Sequence, residues 1–100
     1  MPTILFDEID TGVSGEIALK MGKIMKKMSQ NRQVFAITHL PQIASKGDAQ
    51  YKVSKETVAE NTISKIVKLN NEERIVEIAE MLSGKQITDS ALTHAKTLLN

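Results

Sequence analysis

The sequence predicts an α/β fold: two parallel strands, a β-hairpin and C-terminal helices. Three observations predict it. Two short apolar runs, Ile4-Leu5-Phe6 and Val34-Phe35-Ala36-Ile37, lack the polar alternation of a half-buried strand and read as strands covered on both faces. A single helix-patterned segment joins them, and such a crossover makes the two strands parallel and the connection right-handed. Farther on, two runs of strand-forming residues around a polar loop precede two amphipathic segments, Asn70–Gly84 and Thr88–Leu99.

The first strand ends at two adjacent carboxylates, Asp7 and Glu8, followed by a turn rich in Gly and Thr. Acidic residues at the carboxyl end of such a strand lie where open α/β sheets bind ligands. An aspartate there can hold a hydrated magnesium ion, and a neighbouring glutamate can orient a water toward a phosphate. Acidic residues ahead of a helix can also simply compensate its dipole, an effect of about 0.3–1 kcal/mol. Asp10-Thr11-Gly12 raises a third reading, half of a dimeric aspartic protease sharing one proton between two aspartates. That fold is all β, and the helix-patterned residues after Gly15 argue against it.

From Glu16 to Gln30 the pattern is helical, with Ile17, Met21, Ile24 and Met28 recurring at steps of three and four and Ala18 and Met25 beside them. Lys20, Lys23, Lys26 and Lys27 occupy much of the other side, read as a solvated face in preference to a phosphate-backbone contact. The methionines read as core filler. The second strand then brings His39 to the edge that carries Asp7 and Glu8. Pro41 suits the first turn of a short helix through Ser45, and Lys46-Gly47-Asp48 signals a turn.

Tyr51–Ser54 and Thr62–Leu69 form the expected hairpin, with residues 56–61 as its polar loop. Lys52, Lys55, Lys65 and Lys68 make it basic; they read as edge protection, with a DNA-facing surface as the rival. Asn70 or Asn71 caps the next helix, with Glu72 and Glu73 in its first turn. Ile75, Ile78, Ala79 and Leu82 form its stripe, and Gly84 stops it. Thr88 caps the last helix, Ile87 and Leu92 occupy staple positions, and Leu92, Ala95 and Leu99 carry the buried face. His94 receives no role.

Composition sets outer limits. One hundred residues make one domain with a modest core. A formal charge of +1 predicts neither nucleic acid nor an acidic substrate by itself. With no cysteine there is neither a disulfide framework nor a thiolate metal site, which is compatible with a reducing compartment. No apolar run approaches a membrane span, and no signal peptide precedes the first strand.

Taken in order, the motifs resemble ABC-type ATPases of the SMC-related kind. Ile4-Leu5-Phe6-Asp7-Glu8 is similar to their Walker B motif. Residues 9–15, Ile-Asp-Thr-Gly-Val-Ser-Gly, stand where that family has its D-loop. Thr38-His39-Leu40-Pro41-Gln42-Ile43-Ala44 resembles the segment with the switch histidine, and Val53-Ser54-Lys55-Glu56 matches a later strand of the SMC-related repair branch. The resemblance covers essentially the whole chain. It implies part of a P-loop NTPase head without the Walker A strand, since no Gly-x-x-x-x-Gly-Lys-Ser/Thr loop occurs in the chain.

The resemblance further implies ATP and Mg2+ as nucleotide and metal, with Asp7 holding the metal, Glu8 acting on the attacking water and His39 sensing the γ-phosphate. Thr11, Gly12 and Ser14 would form the loop that communicates across a homodimer of heads; Ser14 stands where most ABC proteins carry aspartate. Implied partners are a second copy of the head, the missing N-terminal half of the head, and DNA in a cytoplasmic, nucleoid-associated repair and recombination protein. Met1-Pro2 runs straight into the strand, so a C-terminal piece, inactive and self-associating on its own, is expected. Leu82-Ser83-Gly84-Lys85-Gln86 resembles the ABC signature but follows the histidine strand, so a helix C-cap explains it better. The competing class is a non-catalytic α/β module that binds DNA or a protein through its basic hairpin and lysine-bearing helix.

Overall fold

The computed structural model describes residues 3–7 and 14–100; Glu8, Thr11 and Gly12 of the expected site lie outside the described residues. Along the chain run β1 (Thr3–Asp7), α1 (Gly15–Met28), β2 (Gln33–Ile37), α2 (Pro41–Ala44), β3 (Tyr51–Val58), β4 (Asn61–Lys68), α3 (Asn71–Ser83) and α4 (Asp89–Leu99). β1 and β2 pair in parallel, from Thr3 beside Gln33 to Asp7 beside Ile37. β3 and β4 form a separate antiparallel hairpin. The expected architecture is therefore present.

The core lies at the helical end. Ile78 and Ala79 of α3 pack with Ala91 and Ala95 of α4, and Ala44, Ile75, Leu82, Leu92 and Leu99 close around them. The capping that fixes these helices is local. Asn70 accepts from Glu73 N at 2.8 Å while the Glu73 carboxylate accepts from Asn70 N at 2.9 Å, a reciprocal capping box. Thr88 Oγ1 accepts from Ala91 N at 3.1 Å. Gly84 ends α3 at φ 80°, in the left-handed region that favours glycine. The single Ser83 hydroxyl proton is shared between Ala79 O and Gln86 O, at 3.1 and 3.0 Å, so the signature-like serine is engaged in its own turn.

Two expectations about packing need correction. The Ile17–Met21–Ile24–Met28 stripe of α1 is not its buried side: Ile17 and Ile24 are exposed, while Ala18, Gly22 and Met25 are buried. The reason is α2, which approaches so closely that only the narrow small-residue face can meet it. The hairpin is also longer than its composition suggested. Strand pairing continues through Lys55–Ser64, Glu56–Ile63 and Thr57–Thr62, leaving Ala59 and Glu60 as the turn. β-branched Thr57, Val58 and Thr62 favour that extension, Lys65 pairs with Glu56 at 3.2 Å, and Ala59 takes a left-handed φ of 57° without being glycine.

Much apolar surface remains uncovered. In β1–β2, Ile4, Phe6 and Val34 are half-buried, whereas Leu5, Phe35 and Ile37 on the opposite face are exposed. The two strands are therefore not covered on both faces, contrary to what their apolar runs predict. The accessible surface of 7230 Å² exceeds the about 5,600 Å² of a compact monomer of this mass. Among the described residues, no helix is long and apolar enough to cross a membrane.

Candidate functional site

The site is built at the carboxyl rim of β1–β2. Asp7 is the last residue of β1 and lies directly beside Ile37, the last residue of β2. Because the strands are parallel, the chain leaves β2 at the rim where Asp7 ends β1, and His39 follows two residues later. Both side chains belong to exposed residues. The His39 loop is shaped locally: Leu40 N donates to Thr38 Oγ1 at 3.0 Å, and buried Pro41 opens α2, where a missing N–H costs nothing.

Ser14 is the first described residue after Asp7. It is the N-cap of α1, its hydroxyl accepting from Ile17 N at 3.3 Å. A hydroxyl that accepts one N–H still has its own O–H to donate, so the capping role leaves chemistry available. Asp7, Ser14 and His39 are thus each positioned by a strand end or a helix start. Among the described residues no group of three His, Cys, Asp or Glu side chains gathers for a metal.

Three residues that the sequence reading left without a site role hold α2 in place. Gly22 is one: a Cβ there would stand 2.7 Å from Gln42 O and 3.1 Å from Lys46 Cγ. Gln42 is the second, its side-chain amide lying against Gly15. Arg74, in α3, is the third. Its guanidinium donates to Gly47 O at 2.9 Å, Ala44 O at 3.3 Å and Gln50 Oε1 at 3.2 Å, satisfying carbonyls where α2 ends. Partial burial pushes this guanidinium below its usual value, and nearby Asp48 opposes the shift; it stays charged regardless. The Gly15–Ala18–Gly22 spacing on one helix face was the sequence signal for the first two contacts. Nothing local marked Arg74.

One cavity lies away from this rim. It is a cleft of about 500 Å³ between α1, the α2–β3 turn and the end of α4, lined by Lys23, Lys26, Lys46, Asp48 and Arg74. Lys26 bonds to Asp48, holding that carboxyl below its usual value. The ends of α2 and α4 also border the cleft, and carbonyl-bearing helix C-termini disfavour anions.

No protein-family model matches the chain. It is 46% identical over 98 residues to the DNA repair protein RecN of Vibrio cholerae, and 49% identical over 98 residues to that of Rickettsia prowazekii. The Bacillus subtilis RecN is 40% identical over 97 residues. These matches take in 97–98% of this chain, which spans only 17–18% of the relatives' length. Among solved structures, a chain from structural work on ATP-driven dimerization and DNA-stimulated activation of SMC ATPases superposes with a TM-score of 0.69 at 27% identity. That match covers 86% of this chain and 50% of the other. Along nearly its whole length the chain is RecN-like, and its fold is that of part of an SMC-type ATPase head.

Proposed function

We propose that this chain supplies the acidic strand end, the turn before α1 and the switch histidine of an ATP-hydrolysing head, within a RecN-like protein of DNA double-strand break repair and recombination. The parallel register carries the reading: Asp7 beside Ile37 puts Asp7 and the His39 loop on one rim, and Glu8 is the next residue after Asp7. Phosphoryl transfer asks little covalent chemistry of a protein; it needs an aligned water, a held phosphate and compensating charge. Glu8 positions or deprotonates the water, and His39 senses the γ-phosphate. Thr11, Gly12 and Ser14 form the loop that meets a second head.

The residues present fit Mg2+. That ion keeps several waters and uses one or two carboxylates together with substrate phosphates, so exposed Asp7 suffices as the protein's ligand. When bound, the ion would neutralise charge on the phosphate oxygens. The partners in this reading are the N-terminal half of the head, a second head across ATP, and DNA in the whole protein. Support for the last two comes from the SMC relative, described as dimerizing with ATP and being activated by DNA.

The test restores the missing half. Co-expression with the phosphate-loop half of a RecN relative is expected to give ATP turnover, and Glu8→Gln to lower kcat by about 100-fold or more. The chain alone is expected to show none, because it has no phosphate loop. Unchanged turnover in Glu8→Gln would remove the assigned roles; Glu8-dependent turnover by the isolated chain would remove the need for a second half. A non-catalytic reading draws on the hairpin, where Tyr51, Val53 and Ile66 are exposed on the face that also carries Lys55 and Lys68. It predicts DNA or protein binding that Lys55→Ala with Lys68→Ala weakens and Glu8→Gln leaves alone.

A further inference from the structure

One side chain stands between the His39 loop and the start of α1. Gln42 lies in the first turn of α2, three residues after His39. Both of its ends meet α1. A Cβ on Gly15 would be 3.1 Å from Gln42 Nε2, and a Cβ on Gly22 would be 2.7 Å from the Gln42 carbonyl oxygen. The Gly22 contact is with backbone and cannot yield by a side-chain rotation, so a displacement of α2 must carry α1 with it.

The chemistry of the side chain says more. Gln42 Oε1 is buried and meets no hydrogen-bond donor among the described residues. An unpaired buried amide oxygen is unfavourable, and a methionine would fill the same space without that penalty. Packing alone therefore does not account for a glutamine here. An acceptor held ready beside a helix start is accounted for if it gains its donor in another state of the site.

We propose that Gln42 is a positioning residue that couples the His39 loop to the first turn of α1, its amide oxygen accepting a hydrogen bond only when nucleotide is bound. This rests on the ATPase reading given above. In that state a movement of His39 on meeting phosphate travels through α2 and Gln42 to Ser14 and Gly15, the side of the site assigned to the second head. An interaction made only in the loaded state changes kcat more than ground-state binding.

Hydrogen exchange read by mass spectrometry on the full-length protein tests it, with and without a non-hydrolysable ATP analogue. In the wild type, peptides spanning residues 14–21 and 38–45 should both slow on adding the analogue. In Gln42→Met the 38–45 peptide should still respond while 14–21 does not, and kcat should fall about tenfold with KM for ATP within twofold. Response of both peptides in Gln42→Met, or of 38–45 alone in the wild type, overturns the coupling and leaves the ATPase reading intact. No response of either in the wild type removes both. Gly15→Ala approaches from the other side, pressing a methyl on the Gln42 amide, and should alter exchange in 38–45 without nucleotide; unchanged exchange there also overturns the proposal.

Discussion

Gly22→Ala tests the shortest Cβ distance among the described glycines. The added methyl carbon would lie 2.7 Å from Gln42 O, which is 0.7 Å short of the 3.4 Å at which ordinary contact begins. The obstacle is backbone, so α2 itself must retreat. Forcing an extra methyl into a packed interface costs about 1–3 kcal/mol. Alanine in a helix returns about 0.8–1 kcal/mol relative to glycine. At the middle of these ranges the clash wins by about 1 kcal/mol, which should lower the thermal midpoint by about 4–8 °C. Far-UV circular dichroism during heating, together with the urea midpoint, reads both values. Gly15→Ala is the control, since the nearest atom there is the end of the flexible Gln42 side chain at 3.1 Å; it should stay within about 0.5 kcal/mol of the wild type. A Gly22→Ala protein as stable as the wild type would refute the argument that small residues set the spacing of α1 and α2.

Further outcomes follow from other contacts. Arg74→Ala should destabilise by about 1–2 kcal/mol, because it removes the charged donor shared by Ala44 O, Gly47 O and Gln50 Oε1; Arg74→Lys should recover little in urea unfolding, since one ammonium cannot reproduce the fork. Ala59→Gly should stabilise the hairpin by about 0.5–1 kcal/mol by relieving the left-handed alanine, seen as a higher urea midpoint. Lys52 bonds to Glu77 at 2.9 Å, and that bond, aided by the carboxylate's charge, raises its pKa above the usual 10.5. Its stabilisation is therefore complete below the unfolded value and is lost as pH climbs through the raised folded one. Glu77→Gln should flatten the alkaline arm of stability against pH, and identical arms in both proteins would contradict the pairing. The uncovered face of Leu5, Phe35 and Ile37 should make the isolated chain self-associate, and a strictly monomeric chain at high concentration in light scattering would count against this.

The strands and the rim were legible because their signals are local. Ile4–Phe6 and Val34–Ile37 announce strands, the intervening helix makes them parallel, and parallel strands bring Asp7 and His39 to one edge. Helix ends were legible for the same reason, as Asn70, Thr88 and Gly84 act within one turn of themselves. The buried side of α1 was not, because periodicity weighs side-chain size whereas the contact with α2 selects for its absence at Gly22. The hairpin loop was drawn too long because Ala59 supplies a left-handed residue without the Gly or Asn that usually announces a tight turn. Arg74 escaped notice since its partners are distant in sequence, and no pattern of spacing encodes a contact between α3 and the end of α2.

The grip of Arg74 on α2 has a bearing on how the molecule is made. The loop that presents His39 is stitched at its far end by a residue some thirty positions downstream, so the histidine's platform is finished only after α3 has emerged and docked. Synthesis thus passes through an interval in which the acidic strand exists but its imidazole neighbour is still unmoored. A chain halted after Leu69 should accordingly show faster amide exchange across residues 41–45 than the complete one.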